Sequence, residues 1–578
     1  MASSAATSTA ASTKVEPKQA VLNSAEENPT NAKSADAKPA GARIYSLDAL
    51  RGIAIIAMCY SGVIGGTRGL PSWMFHAQYP PPALRYDASV PGYTWVDLVF
   101  PAFLFSMGCA MPFAMGRRLE KGKGVFPSIL GALWRMLLLV FFGVYVQNLQ
   151  PYVMQNPPSN ATWLFAFIGF VSLFPVFAIL PKSWSNTKQL SVRFLGFLFA
   201  FLLMGISVIN RTAGVDLGIV GTLNYFGENF GEILSQMIKK SDIIIIVLSN
   251  MAFFAATIWI LTRGNLLHRI ACMVFVFALW RTSGFGEAWT APYLRSSITV
   301  FSKEVDISWF YRFDFLKYLL VVVPGTIIGD CLYDWVKKKN RDSAGGIATK
   351  QACMKRLIAV SLLSLLLLIG CMTFLHGRQE VLFTLLGVDW NYLNTTPYFC
   401  ALMIAAIYAL LPKQETSEGA LLHKLLGWAA FWLFLGLVFE PLKGGIKKDP
   451  SDVTYYFVST GLSIYLLVFF YVWVDVLKVK PGFNLLVLNG QNPLLSYFGI
   501  RNLLGPIMMC GIIWVADQNG NIEILSINAI VVGWITEYSA EANEWVRPWS
   551  LALWGFIKTL FLAVIVAELT KRKVIWKS

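Results

Sequence analysis

Residues 95–116 read WVDLVFPAFLFSMGCAMPFAMG. Asp97, near the start, is the one charged residue in this stretch, and no alternation of apolar with polar residues suggests a strand. A helix of about 20 apolar residues crosses the roughly 30 Å hydrocarbon layer of a bilayer. The stretch is long enough to cross, with its carboxylate held at one edge. Pro101 lies one turn in and is a place for a kink.

Similar runs recur outward from this one, from about residue 47 to residue 570. Spans are expected near 47–66, 95–116, 127–147, 161–181, 192–210, 242–262, 266–282, 314–336, 357–376, 397–412, 425–441, 455–477, 493–516 and 550–570. Two of these, 266–282 and 397–412, are short enough to be half-helices. The 578 residues are 56% hydrophobic and 14% charged, with mean hydropathy +0.56. Soluble domains carry about 25% charged residues, so a soluble enzyme is excluded. Helices satisfy their own backbone polar groups in lipid, and no series of alternating segments argues for a barrel. The expected fold is all-α, a polytopic transmembrane helix bundle of about 12–14 spans. Residues 1–42, rich in Ala, Ser, Thr and Lys and without an aromatic residue, are expected to be a disordered cytoplasmic tail. Residues 43–578 are expected to form one transmembrane domain.

The net charge of +15 invites a nucleic-acid partner, but Lys and Arg collect in the cytoplasmic loops of membrane proteins. With the N-terminus inside, the inner loops hold 24 Lys and Arg and the outer loops 14. That count places both termini in the cytoplasm. None of the eight cysteines forms a CxxC pair, so they read as small buried apolar residues, and no metal site is expected.

Few residues can do chemistry. Of four histidines, His268 and His423 fall on the inner side, and His376 ends an apolar run as an ordinary helix-end residue. His76 differs. It follows Trp73 in an outer loop that leads into Tyr93-Thr94-Trp95-Val96-Asp97, and an imidazole near its unperturbed pKa can take a proton from a nucleophile at neutral pH. Asp48 and Arg51 stand three apart on one face of the first span, where ionisable groups need protein or water to face. Outer aromatics such as Trp73 read as an interfacial belt or as stacking platforms for sugar rings.

Four segments in order carry a resemblance: SLDALRG at 46–52, DLVFPAFLFSMG at 97–108 after the His76 loop, GGIKKDPS at 444–451 and GQNPLLSY at 490–497. They resemble the family of heparan-α-glucosaminide N-acetyltransferase and its bacterial relatives. The resemblance is strong over 46–110 and 440–500. It implies a membrane enzyme that takes acetyl groups from cytosolic acetyl-CoA and delivers them to a sugar or glycan on the other side. It makes His76 the candidate base, with Asp97 orienting the imidazole and Lys447 and Lys448 contacting the acceptor. Asp48 and Trp73 are grouped with those acceptor contacts. Where the family has an Asn before a glycine stretch, this chain has Tyr60-Ser61-Gly62, so Ser61 is the nearest counterpart and the candidate oxyanion donor.

Acyl-CoA carries phosphate charges that cannot cross a bilayer, whereas its pantetheine arm is thin and largely uncharged. An enzyme bridging two compartments would hold the nucleotide with inner cations, as charge-assisted bonding favours. Arg51, Arg117, Arg118, Lys121 and Arg135 sit near inner span ends. Asn492 before Pro493 is expected to cap a helix whose N-terminus attracts anions. The expected donor is acetyl-CoA, without a metal. The expected partners are a sugar or glycan acceptor and lipid, with no nucleic acid; a homodimer stays open. The expected reaction is an N- or O-acetylation, and the alternative class is a transporter or flippase for sugars or lipid-linked glycans. A bacterial inner (plasma) membrane is the expected location. The N-x-T sequences at Asn160, Asn210 and Asn394 keep a glycosylating host open.

Overall fold

The computed structural model describes residues 43–213, 218–282, 297–300, 303–342, 351–377, 380–385, 387–414, 416–516, 522–540 and 543–577. The expected tail, 1–42, lies outside the described residues. The chain is a multi-pass helical membrane protein. Among the described residues, twelve helices are long and apolar enough to cross a membrane. The elements used below are α1 (Tyr45–Ile64), α2 (Trp95–Met111), α3 (Val125–Asn148), α4 (Asn160–Ser172), α5 (Asn186–Ala213), α6 (Ile243–Leu261), α7 (Leu266–Thr282), α8 (Leu319–Asp342), α9 (Gln351–His376), α10 (Tyr392–Leu410), α11 (Ser417–Phe439), α12 (Val453–Phe470), α13 (Phe483–Gln491), α14 (Pro493–Gly499) and α15 (Val546–Lys571).

Two expected spans differ. The 266–282 run is helical as α7, but it is 17 residues long and buries Arg269 in its first turns. There Arg269 meets Asp330 at 2.5 Å, and Trp259 donates to the same carboxylate at 3.0 Å. The 493–516 run does not continue as one helix. It passes through a π-helical turn at Ile500–Leu504 and stops at Met509. The next residues, Gly511–Ala516, form a strand paired antiparallel with Ile522–Ser526. GIIWVA is β-branched and aromatic, a composition that favours strand over helix. Hydropathy alone does not separate the two. Two further hairpins pair Ser297–Val300 with Lys303–Asp306 and Val381–Leu385 with Val388–Asn391. By helix alternation all three lie at the end of the bundle that carries the 65–94 loop, called the loop end here.

The bundle is held by close backbone crossings. A Cβ built on Gly52 of α1 would lie 1.9 Å from the Leu486 carbonyl oxygen of α13. One on Gly490 would lie 1.8 Å from the Asp48 oxygen. Gly325 and Gly329 of α8, four apart, meet α2 in the same way at the Phe105 and Cys109 carbonyls, 2.6 and 2.5 Å. Small residues one turn apart let membrane helices approach and gain dispersion energy where no hydrophobic force acts between them. The start of α1 is closed by Asp475, from the π-helical turn after α12. Its two oxygens accept the N–H groups of Tyr45 and Ser46, each at 3.0 Å, which satisfies orphan donors where the helix dipole favours an anion.

At the loop end, Leu70, Met74 and Phe75 pack with Ile64 and Ala552 into a small buried cluster, so residues 65–94 fold back over the bundle. Gly52→Ala is expected to destabilise the purified protein by about 1–3 kcal/mol through overpacking, seen as an earlier thermal transition in detergent. Gly231→Ala, with open space at its Cβ, is expected to leave the transition unchanged or slightly later. Equal transitions for the two would show that the α1–α13 crossing is not tight.

Candidate active site

The site is built from the cap of α2. Thr94 precedes the helix and Asp97 is its third residue. Asp97 Oδ2 accepts the backbone N–H of Thr94 at 3.1 Å and that of Ala77 at 3.2 Å. Thr94 Oγ1 donates to the Phe75 carbonyl at 2.7 Å. This is the reciprocal capping arrangement, in which an acidic third residue reaches back to the N-cap backbone. It also ties Phe75 and Ala77, the neighbours of His76, to the helix.

The second carboxylate oxygen is left for the imidazole: His76 Nδ1 lies 2.7 Å from Asp97 Oδ1. The carboxylate is buried, at 2% exposure, and the imidazole is 32% exposed. An ionised carboxylate only accepts, so Nδ1 carries the proton of the neutral imidazole and Nε2 presents its lone pair. Pro101 contributes too. It has no N–H, so the Asp97 carbonyl one turn earlier lacks its helical partner, and the Tyr455 hydroxyl donates to it at 3.0 Å.

Lys448, on the loop before α12, approaches the same ring, with Nζ 3.2 Å from Nε2 and 3.3 Å from Nδ1. Burial pushes its ammonium pKa below the usual lysine range, while Asp97 and Asp449 pull it back up. His76, Lys448 and Ser61 line one cavity of about 360 Å³, walled by Met58, Val99, Phe100, Ile244 and Trp163. Ser61 Oγ donates to the Met58 carbonyl at 2.9 Å within its own helix. Gln150, Tyr497 and Arg501 also line this cavity. Arg501 Nη1 donates to Gln150 Oε1 at 3.1 Å, and Tyr497 donates to Asp242 at 2.9 Å. Trp73 is half exposed, with its ring 6.3 Å from Trp549, and neither it nor Lys447 lines the cavity.

A second cavity of about 300 Å³ lies toward the opposite end, lined by Arg51, Arg135, Gln491 and Lys577 among apolar residues of α2, α3 and α6. Arg51 Nη1 donates to the Gly490 carbonyl at 3.2 Å and lies 3.5 Å from Asp48. Asp48 is therefore at the far end of α1 from Ser61, about 20 Å along the helix, and is not part of the His76 cluster. Arg117, Arg118 and Lys121 are exposed on and just after the short helix Arg117–Glu120, outside the cavity lining. Asn492 does not cap the helix it precedes. Its Oδ1 accepts the Trp576 N–H at 3.0 Å, and its Nδ2 donates to the Val574 carbonyl at 2.9 Å and the Thr570 hydroxyl at 3.3 Å, so this buried side chain is held within the protein. It pins the segment after α15 so that Lys577 faces the cavity.

The two cavities share walls. Their linings meet within three or four residues on three helices: Phe100 and Phe103 on α2, Ile244 and Leu248 on α6, Leu494 and Tyr497 on α14. That is about one helical turn, roughly 5 Å. Among the described residues there is no cluster of three or more His, Cys, Asp or Glu side chains able to hold a metal.

The sequence reading did not select Gln78, Gln150, Tyr497 or Lys577. Arg501 lies in a π-helical turn, a geometry concentrated at functional sites, but nothing in the local sequence signals it.

A family model described as "Domain of unknown function (DUF5009)" matches residues 43–332, half of the chain. The chain belongs to that family. Part of it is also similar to heparan-alpha-glucosaminide N-acetyltransferase of Homo sapiens, 34% identical over 106 residues, 18% of this chain and 14% of that protein. The Mus musculus protein of the same name is 30% identical over 135 residues, 22% of this chain and 18% of its own. The chain thus matches less than a fifth of the length of these relatives, a distant relationship.

Asp97→Ala removes the cap and leaves the Ala77 and Thr94 N–H groups unpaired. It is expected to cost about 1–2 kcal/mol, read as an earlier thermal transition of the detergent-purified protein. His76→Ala, which removes a partly exposed ring, is expected to cost less. The reverse order would show that the carboxylate is not the anchor of the loop.

Proposed function

We propose that this protein is a transmembrane acetyltransferase. Acetyl-CoA enters from the cytoplasm at the Arg51/Arg135 end, and the acetyl group passes to an amine or hydroxyl of a sugar or glycan at the loop end. One observation carries the reading: a histidine–carboxylate pair opens into a cavity that shares three helices with a second, cation-lined cavity one turn away. The relatives named as N-acetyltransferases support it.

In this reading Arg51, Arg135 and Lys577 hold the donor's phosphates and the thioester lies against the seam between the cavities. His76 Nε2 takes the proton from the acceptor as its nitrogen or oxygen attacks the thioester carbonyl carbon. Asp97 keeps the imidazole in the tautomer that can do so and stabilises the imidazolium that forms. When the intermediate collapses, the C–S bond breaks, and the thiolate leaves with the proton returned from His76. CoA and the acetylated sugar result, and both protons and electrons balance. General-base catalysis of this kind contributes about 10²–10⁴-fold.

The test is release of free CoA by the detergent-solubilised protein incubated with acetyl-CoA and a panel of amino sugars. His76→Ala is expected to lower turnover at least about 100-fold while thermal stabilisation by CoA persists. Near-normal turnover in His76→Ala would remove the histidine from the mechanism. A transporter would release no CoA in detergent and would need a sealed compartment to show activity. Arg135→Gln and Lys577→Ala are each expected to raise KM for acetyl-CoA about tenfold, the equivalent of 1.4 kcal/mol, with kcat little changed. An unchanged KM in both would move the donor site elsewhere.

A further inference from the structure

We propose that Lys448 is a second catalytic residue of this acyl transfer, its ammonium carrying the negative charge that develops on the carbonyl oxygen, and that Gln78 is the residue that positions it. The inference rests on the acetyltransferase reading above and gives the oxyanion role to a different group from Ser61. The Ser61 hydroxyl has one proton, and that proton is engaged by the Met58 carbonyl within the helix. Lys448 Nζ, by contrast, stands 3.2 Å from His76 Nε2. An ammonium only donates, so Nζ donates to the Nε2 lone pair in the resting site; when the acceptor's N–H or O–H takes that lone pair, the released ammonium donates to the oxygen of the carbonyl under attack. The groups facing Lys448 are His76 and Asp97 from the α2 cap and its loop, and Asp449 from its own loop.

Lysine is a flexible side chain, and holding its loop in place requires a partner. Gln78, two residues after His76, supplies it. Its Oε1 accepts the Asp449 N–H at 2.8 Å and its Nε2 donates to the Asp449 carbonyl. One buried amide, 3% exposed, thus satisfies both backbone groups of the residue next to Lys448. The Tyr86 hydroxyl donates to the same carbonyl at 2.7 Å, and Gly92 N–H donates to the Ile446 carbonyl at 3.0 Å. The loop that carries the base therefore also clamps the loop that carries the cation, and the two groups keep their spacing as a unit.

The chemistry adds no reagent. As the nucleophile's lone pair forms its bond to the carbonyl carbon, the C=O π pair moves onto oxygen and is held by the Nζ–H groups. It returns as the C–S bond breaks. Preorganised donors of this kind are worth about 10²–10³ in kcat.

The experiment compares kcat and KM, by CoA release in detergent, for wild type, Lys448→Met, Lys448→Arg, Gln78→Leu and the double variant Gln78→Leu/Lys448→Met. Thermal transitions identify any variant that fails to fold. Lys448→Met is expected to lose kcat about 100-fold with KM for acetyl-CoA within about twofold, and Lys448→Arg to recover part of the loss. Gln78→Leu is expected to lose about tenfold in kcat at unchanged KM, and to add nothing to Lys448→Met, because its effect runs through the lysine. Should Lys448→Met not fold, the kcat losses of Lys448→Arg and Gln78→Leu decide. Lys448→Met with kcat within threefold of an active wild type overturns the lysine's role. A loss confined to KM for the amino sugar overturns it as well. Additive losses in the double variant overturn the positioning role of Gln78. A wild type that releases no CoA with any member of a panel of amino sugars, neutral sugars and glycans overturns the acetyltransferase reading itself, which separates the two failures.

Discussion

The Asp97 carboxylate is the constraint on which the loop end depends. A buried carboxylate must be paired or hydrogen-bonded to persist, and here every partner comes from a segment that has to be positioned: the Thr94 backbone, the Ala77 backbone and the His76 ring. The side chain that starts the second span thereby also decides where a loop residue 21 positions away will stand. His76 belongs to a helix cap more than to a loop. Pro101 completes the arrangement by freeing the Asp97 carbonyl for Tyr455, which joins the α2 cap to α12 just beyond the Lys448 loop.

The second constraint is the rigidity of α1. Its backbone lies against α13 so closely that no side chain fits between Gly52 and Leu486, its first turn is closed by Asp475, and Arg51 donates across the crossing to Gly490. The same helix then presents Met58, Cys59, Ser61, Gly62 and Val63 to the loop-end cavity and Arg51 to the other. Seven residues separate Arg51 from Met58, about 10 Å of helix. The distance between the cavities is fixed by a rod that cannot slide against its neighbour without backbone clash.

Much of the bundle was legible because apolar runs of membrane length have few other uses. The exceptions are instructive. The 493–516 run is apolar throughout its second half, yet GIIWVA is a strand, and hydropathy carries no information on which conformation satisfies the backbone. Asp97 and His76 were legible through residue type and order in the chain, and the capping geometry that joins them follows from Thr94 standing three residues before Asp97. Lys448 was legible only as an acceptor contact. Its approach to the imidazole joins residues 372 positions apart, and no local pattern encodes that. Gln78 and Lys577 were invisible because a single glutamine or lysine has no periodicity. Asn492 was noticed for the right reason, a polar residue before proline, and misassigned: its amide found two backbone groups of the 574–576 segment instead of the turn it precedes. Asp48 was grouped with the acceptor although its place in the first turn of α1 puts it at the other end.

The seam between the cavities sets what any ligand can do there. Its facing residues are Phe100, Phe103, Ile244, Leu248, Leu494 and Tyr497, a largely apolar barrier about one turn thick. Moving a phosphate through it would strip a charge of its hydration with no partner to replace the water, a cost that burial without pairing does not recover. An uncharged chain faces no such penalty and needs only rotamer changes of aromatic and aliphatic side chains, which occur without moving helices held backbone to backbone. A donor anchored by Arg51, Arg135 and Lys577 would therefore keep its charged part at one end and could extend only its neutral arm toward His76. The barrier that blocks free passage is thus compatible with group transfer across it, and it disfavours the carriage of a whole charged solute along the same route.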